Sequence, residues 1–285
     1  MARIGVCSWS LQADNPDELA RRVTACGVAA VQLALDPVTS GVWNEAETTR
    51  ALRVAKIDII SGMMGFKGED YSTLDSIRRT GGVALDEHWA ANLAAAKANA
   101  RLADRLGLTL VTLHAGFIPH EPSDPARGRL LARLRQIVDI FGDKGVRVGL
   151  ETGQETAPTL LEALDQLDRP HVGVNFDPAN MILYGMGDPI EALRLLRRRI
   201  VQVHIKDARA SRTKGEWGEE VRAGAGDVDW PAFFAALRES PRGAGAGVDS
   251  EVGVDLFVER EAGAERVDDA RAAVALVGRH VPSAA

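Results

Sequence analysis

The sequence predicts an α/β fold of one domain spanning residues 1–285, a (β/α)8 barrel in which eight parallel strands close into a ring surrounded by helices. Three observations lead there. Eight short runs rich in β-branched residues alternate along the chain with Ala/Leu/Arg-rich stretches of helical period. Several of the helical stretches open with Asn-Pro or Asp-Pro, a capping side chain followed by proline at the first helical position. No obvious linker interrupts the alternation, which favours one barrel over separate units. An open doubly wound sheet is the alternative that spacing leaves standing.

The elements follow in order. The first run, 3–8 (RIGVCS), precedes NPDELARRVTACG, where Asn15 reads as the cap, Pro16 as the first helical residue and Gly27 as the stop. Runs two and three are 29–34 (AAVQLA) and 57–62 (IDIISG). Residues 63–87 then depart from compact alternation; they carry glycines at both ends and read as a lid. The fourth run, 109–114 (TLVTLH), is followed by the helix DPARGRLLARLRQIVDIFG. The fifth and sixth are 146–151 (VRVGLE) and 171–176 (HVGVNF), with the helix DPIEALRLLRRR before the seventh, 200–205 (IVQVHI). Residues 207–229 form a long connection ending in GAGDVDW. Residues 240–253 read as a flexible connection leading to the eighth run, 254–259 (VDLFVE). The lid and 207–229 lie on strand-to-helix connections, the face where barrel enzymes do chemistry; 240–253 lies on the opposite face.

Composition narrows the partners. A net charge of −6 and a pI near 5.6 provide no basic footprint for nucleic acid or an anionic membrane, so a small-molecule partner is expected. Cys7 and Cys26 form no CxxC motif and no disulfide framework, which fits a reducing compartment. The start MARIGVCSWS lacks a secretory pattern, and no apolar run reaches the roughly 18 residues of a membrane span, so a cytoplasmic protein is expected. RGAGAG at 242–247 neither follows a strand nor opens a helix, and so fails as a dinucleotide fingerprint.

The stretch VQVHIKDA, 201–208, places polar residues at the end of an apolar strand. Alternation puts His204 and Lys206 on one face, at the carboxyl end. Other strands end the same way: Glu151, Asp177 and Glu259 close runs five, six and eight, and His114 closes run four. In a barrel these side chains converge on one mouth, where carboxylates and an imidazole suit a divalent cation. Each residue also has a plainer use. His204 could be a hydrogen-bonded structural residue, and Asp177 before Pro178 resembles a helix cap. Clustering on consecutive strands favours the cation, because unpaired carboxylates brought together repel.

GLETGQET, VNFDPAN, HIKDA, GAGDVDW and EREAG, in this order, resemble the xylose isomerase-like TIM-barrel superfamily, in particular its sugar-phosphate isomerase/epimerase branch. The similarity runs from IGVCSWSLQ through LVTLHAGFIP to near the C-terminus, with 240–253 fitting least well. The resemblance implies a single divalent metal ion, Mn2+ or Mg2+ before Co2+ or Zn2+, held by Glu151, Asp177, His204 and Glu259. It also implies Glu151 and Glu259 as the catalytic acid/base pair. Asn180 stands where related endonucleases and ketose 3-epimerases carry a histidine, which sets a multinuclear nuclease site aside and makes Asn180 a substrate contact. His114, Lys206 and Trp9 complete the expected substrate contacts; Trp9 would stack on a sugar face and Lys206 would stabilise an oxyanion. Glu155 reads as a helix-entry carboxylate and Cys7 as packing.

The chemistry expected is proton abstraction beside a ketone, through an enediolate, on a sugar or keto-cyclitol. Return of the proton to the opposite face gives an epimer, and return to the adjacent carbon an aldose. Loss of a leaving group would instead make the enzyme a keto-inositol or keto-sugar dehydratase. A catalytically silent sugar-binding barrel is the alternative of another class, and a homo-oligomer is compatible with either.

Overall fold

The computed structural model describes residues 2–213, 215–239 and 253–281. All eight expected runs are strands. In chain order they are β1 (Ile4–Cys7), β2 (Ala30–Ala34), β3 (Asp58–Met63), β4 (Leu110–Leu113), β5 (Arg147–Glu151), β6 (Val172–Phe176) and β7 (Ile200–Ile205). A hairpin of β8 (Asp207–Arg209) and β9 (Glu219–Val221) follows, and β10 (Leu256–Val258) completes the set. The barrel closes in the order β1-β10-β7-β6-β5-β4-β3-β2. Parallel pairing of β1 with both β10 (Ile4 to Leu256) and β2 (Val6 to Val31) seals the ring and excludes the open sheet.

Local chemistry sets the helices as expected. The Asn15 side chain accepts from Glu18 N and opens the helix Pro16–Ala25. Asp124 caps Pro125–Gly142, Asp177 caps Pro178–Tyr184 and Asp188 caps Pro189–Leu196, each with proline inside the first turn. Leu, Val, Ile and Ala side chains between the helices and the outer barrel face form one continuous buried core.

Inside the barrel the packing is different. Gln32, Ser61, Thr112, Asn175, Gln202 and His204 are all buried there and satisfy one another. A register shift in the β6–β7 pairing, from Val174–Ile200 to Asn175–Gln202, interrupts the simple alternation read from the sequence at this point.

Two connections shape the mouth. After β3 the chain turns through residues 64–73, forms the helix Leu74–Thr80 with a Thr73/Ser76 capping box, and returns through Gly81 and Gly82. Gly82 has φ +60°, and a Cβ on it would lie 2.2 Å from the Ala115 carbonyl oxygen, so only glycine permits this approach to the connection after β4. After β7, the buried Asp207 accepts from the backbone N–H groups of Ala208, Gly224, Gly226 and Val228 and from Trp230 Nε1. The GAGDVDW glycine amides at 224 and 226 are therefore committed to a carboxylate of the chain itself. The expected flexible connection falls, except for Gly253, outside the described residues. Among the described residues, no helix is long and apolar enough to cross a membrane.

Candidate functional site

β5, β6, β7 and β10 deliver Glu151, Asp177, His204 and Glu259 to one point at the carboxyl end of the barrel. All four are buried, and one potential ligand atom from each lies within 4.8 Å of the others. His204 Nδ1 is 3.3 Å from Glu151 Oε1, 3.4 Å from Glu259 Oε2 and 3.8 Å from Asp177 Oδ2. Asp177 reconciles the two readings of its sequence position. Its Oδ1 accepts from Asn180 N as a helix cap, while Oδ2 is buried and has no hydrogen-bond partner.

The polar barrel interior fixes the imidazole. Gln32 Nε2 donates to Thr112 Oγ1 at 2.7 Å and to the Gly62 carbonyl at 3.3 Å, which turns Gln32 Oε1 toward His204 Nε2, 2.7 Å away. Because that oxygen can only accept, the Nε2 proton of His204 is held there. The Nδ1 lone pair is left facing the three carboxylates, as a metal ligand requires. Asn175 Nδ2 reaches Glu151 Oε2 at 3.2 Å and so orients a second member of the set.

Electrostatics agree with a site that wants positive charge. Burial raises Asp177 above the ordinary carboxyl range, against the pull of Lys206 and His204. Burial alone would lower His204, but the carboxylates of Glu151 and Glu259 carry it well above the ordinary imidazole value. Desolvation opposes ionisation of Glu259, yet Lys206 and His204 hold it well below the usual carboxylate range. In the absence of a cation, a proton on His204 neutralises part of the charge that a cation would otherwise meet. Cys7 is packing: burial pushes its thiol up to about 12, and Sγ lies 3.5 Å from Gln32 Oε1.

Adjoining this cluster lies a pocket of about 440 Å3 whose walls include His114 and three residues hydrogen-bonded to Glu151 or Glu259, namely Trp9, Asn180 and Lys206. Lys206 is buried and donates to Glu259 Oε2 at 3.0 Å, Glu261 Oε2 at 2.5 Å and Asn180 Oδ1 at 3.2 Å. Asn180 Nδ2 in turn donates to Glu151 Oε1 at 3.0 Å. Trp9 Nε1 donates to Glu259 Oε1 at 2.8 Å, so its indole is tied edge-on to a carboxylate as well as facing the pocket. His114 lies one residue beyond β4, with Nε2 3.8 Å from Glu151 Oε2 and a buried Nδ1 lacking a partner. Glu151 and Glu69 raise His114 against the desolvation that would lower it.

Sequence reasoning did not reach Glu69, Tyr71, Trp217 and Glu261, which also line the pocket, or Gln32 beneath it. EREAG contained a signal for Glu261, two residues beyond Glu259 and so on the same face of an extended chain. Glu69, Tyr71 and Trp217 come from long connections, where no periodicity indicates direction. Glu155, read as a helix-entry carboxylate, is buried with both oxygens unpaired, and burial pushes it up to about 8.

Residues 20–273 match the sequence profile of the xylose isomerase-like TIM barrel. The chain belongs to that family. Among solved structures of xylose isomerase-like barrels, it is similar to a xylose isomerase domain protein from Planctomyces limnophilus. That pair has 31% identity and a TM-score of 0.80, covering 91% of this chain and 92% of the other. Its fold also matches the 3-keto-D-glucoside 4-epimerase of E. coli, at 17% identity and TM-score 0.71 over 98% of this chain and 100% of that one. The D-allulose 3-epimerase of Methylomonas sp. in complex with D-allulose gives 17% identity and TM-score 0.72, over 98% and 97% of the chains. A curated relative, the 3-oxo-isoapionate decarboxylase of Pectobacterium atrosepticum, is 30% identical over 122 residues. That match covers 41% of this chain and 44% of the relative, so the chain spans less than half of the relative's length.

For this member of the family, Glu151, Asp177, His204 and Glu259 fit a divalent cation on two observations. Their potential ligand atoms are mutually close, and Asp177 Oδ2 is a buried acceptor without a hydrogen bond.

Proposed function

We propose that the chain is a metal-dependent sugar isomerase or epimerase that moves a proton beside the ketone of a keto-sugar or keto-cyclitol. The supporting observation is the convergence of four buried ligand-type side chains beneath a polar, aromatic-walled pocket. A divalent cation held by Glu151, Asp177, His204 and Glu259, with Mn2+ or Mg2+ favoured and Co2+ or Zn2+ compatible, would polarise the ketone and offset developing negative charge.

The chain's own residues divide the remaining work. Glu151 and Glu259 stand on well-separated strands of the ring, so one takes the proton from carbon and the other returns one. Trp9 and Lys206 hold both oxygens of Glu259, and Asn180 and Asn175 hold those of Glu151. This bracing keeps both carboxylates in place during transfer. Lys206, whose three N–H groups serve Glu259, Glu261 and Asn180, would release one of them to donate to the developing oxyanion, and His114 would donate to the substrate hydroxyl nearest Glu151. Residues 63–87, as a lid, would exclude water from the enediolate.

A second reading has its own support, the 30% identity to a decarboxylase. In a 3-keto acid the same electron sink serves a different bond: the C–C bond to the carboxylate breaks, CO2 leaves, and the electron pair moves onto the ketone oxygen. A protonated site residue then delivers a proton to carbon.

One experiment separates these readings. Manganese-loaded protein is incubated in deuterated water with ketoses, keto-inositols and carboxyl-13C-labelled 3-keto acids, and followed by NMR, with Glu259→Gln as control. Loss of substrate C–H signal that disappears in the variant supports proton abstraction, and the product spectrum distinguishes epimer from aldose. Release of labelled CO2 selects the decarboxylase. Neither signal, despite stoichiometric metal and measurable sugar binding, would overturn the enzymatic reading for those substrates.

A further inference from the structure

A second cavity, of about 470 Å3, opens beside the barrel mouth between the segment after β3 and the connection after β4. Its charge is opposite to that of the first. The mouth pocket includes the carboxylates of Asp36, Glu69 and Glu261 in its walls. The second has Arg78, Arg79, Arg129 and Arg133 in its walls, and no carboxylate.

Nearby acids offset this charge only in part. Asp86 serves both Arg133 and, at 3.7 Å, Arg129, while Asp75 pairs with Arg79 at 3.0 Å where both side chains are largely exposed to water. Arg78 makes no ion pair among the described residues; its guanidinium carbon lies 5.4 Å over the Phe117 ring. Arg133 is buried and fixed, donating to the Val83 and Ala84 carbonyls at 2.8 and 2.9 Å. The remaining wall is largely apolar, with Val83, Ile118 and Leu130 buried behind it.

We propose that this cavity binds a small organic anion, a carboxylate or phosphate ester. Arg78 and Arg129 grip the anionic group, Arg133 supplies fixed positive charge, and the apolar wall takes the carbon body. A guanidinium presents a planar fork of donors that matches carboxylate and phosphate oxygens. The volume suits a metabolite-sized ligand. The segment after β3 contributes to both cavities, and Phe117 of this one packs edge-on, at 5.7 Å between centroids, against Tyr184 of the other. The anion is therefore either the tail of a substrate reaching past that aromatic pair or a separate ligand. The inference rests on this cavity and not on the reaction assigned to the mouth.

Calorimetric titration of the 285-residue, metal-stripped chain tests it, with glycerol 3-phosphate and succinate as probes and glycerol as the neutral control. Either anion is expected to bind, more weakly as salt rises, while glycerol gives no heat. The Arg78→Gln/Arg129→Gln double variant should lose roughly tenfold or more in affinity, and the exposed Arg53→Gln should lose none. Equal binding by the double variant, or no binding of either anion, overturns the site. Fructose 6-phosphate then assigns the source. Binding at least about tenfold tighter than that of glycerol 3-phosphate, an excess the double variant abolishes, identifies the tail of a substrate that spans both cavities. Binding no tighter than that of glycerol 3-phosphate identifies a separate ligand. Both results support the site.

Discussion

Asp177 shows how one side chain serves two purposes, with Oδ1 closing the first turn of the helix Pro178–Tyr184 and Oδ2 left bare beside His204. Gln32 has a comparable influence at a distance, since its oxygen sets which imidazole nitrogen faces the carboxylates. Replacing it by Leu leaves the His204 Nε2 proton without that acceptor. Gln32→Leu is therefore expected to weaken Mn2+ binding about 10- to 100-fold with the four ligands intact, measured by calorimetry or by manganese EPR. Unchanged affinity would remove Gln32 from the site. Glu155 yields a pH prediction. Its carboxyl titrates near 8 in the folded chain against an ordinary value of 4.5, because burial penalises the ion. The folded state thus holds a proton that the unfolded state has released. This group's contribution to stability is fully present below pH 4.5 and declines as pH rises toward 8. Glu155→Gln should flatten that decline: near-equal stability at about pH 4, and a gain of a few kcal/mol at about pH 8, read from urea midpoints at each pH.

At the scale of elements, the segment after β3 depends on a close approach as much as on its helix. Glu69, which lines the mouth pocket, accepts from Gly82 N at 2.9 Å, and Gly82 itself lies against Ala115. Gly82→Ala combines a strained φ with a backbone clash and should cost about 2 kcal/mol or more. The expected result is faster proteolytic cleavage within residues 64–85, with pairing of the barrel strands retained by circular dichroism. Cleavage no faster than in the parent chain would show that the segment is held elsewhere. The helices and strands of the ring were readable because their signals are local: a cap, a proline, a period. The β8/β9 hairpin was not, since strands of three residues carry no alternation, and the pairing depends on Asp207 gathering donors from residues up to Trp230.

For the whole molecule, barrel closure concentrates three carboxylates and an imidazole in one buried volume, and the proposed cation would link stability to its own binding there. Saturation at about 100 times the dissociation constant should stabilise the chain by about 2.7 kcal/mol. Asp177→Asn should abolish most of that gain. In metal-stripped protein the same variant should be as stable as the parent or more so, because it removes a buried carboxylate oxygen that lacks a hydrogen bond while leaving an oxygen for the cap. Melting temperatures with and without manganese test both signs, and a stripped variant much less stable than the stripped parent would assign Asp177 a structural role alone.

The sequence by itself determined the eight strands, the capped helices and the set of polar strand ends, including Glu151, Asp177, His204 and Glu259. These follow from neighbours a few residues apart and from the single geometric rule that parallel barrel strands share one mouth. Only the tertiary structure decided what surrounds those residues. Gln32 and His204 meet from β2 and β7, Lys206 meets Glu261 across the rim, and four arginines from two helices, Leu74–Thr80 and Pro125–Gly142, wall a second cavity. Ring closure brings such pairs together across large separations in sequence, and neither period nor cap records which side chains will then face one another.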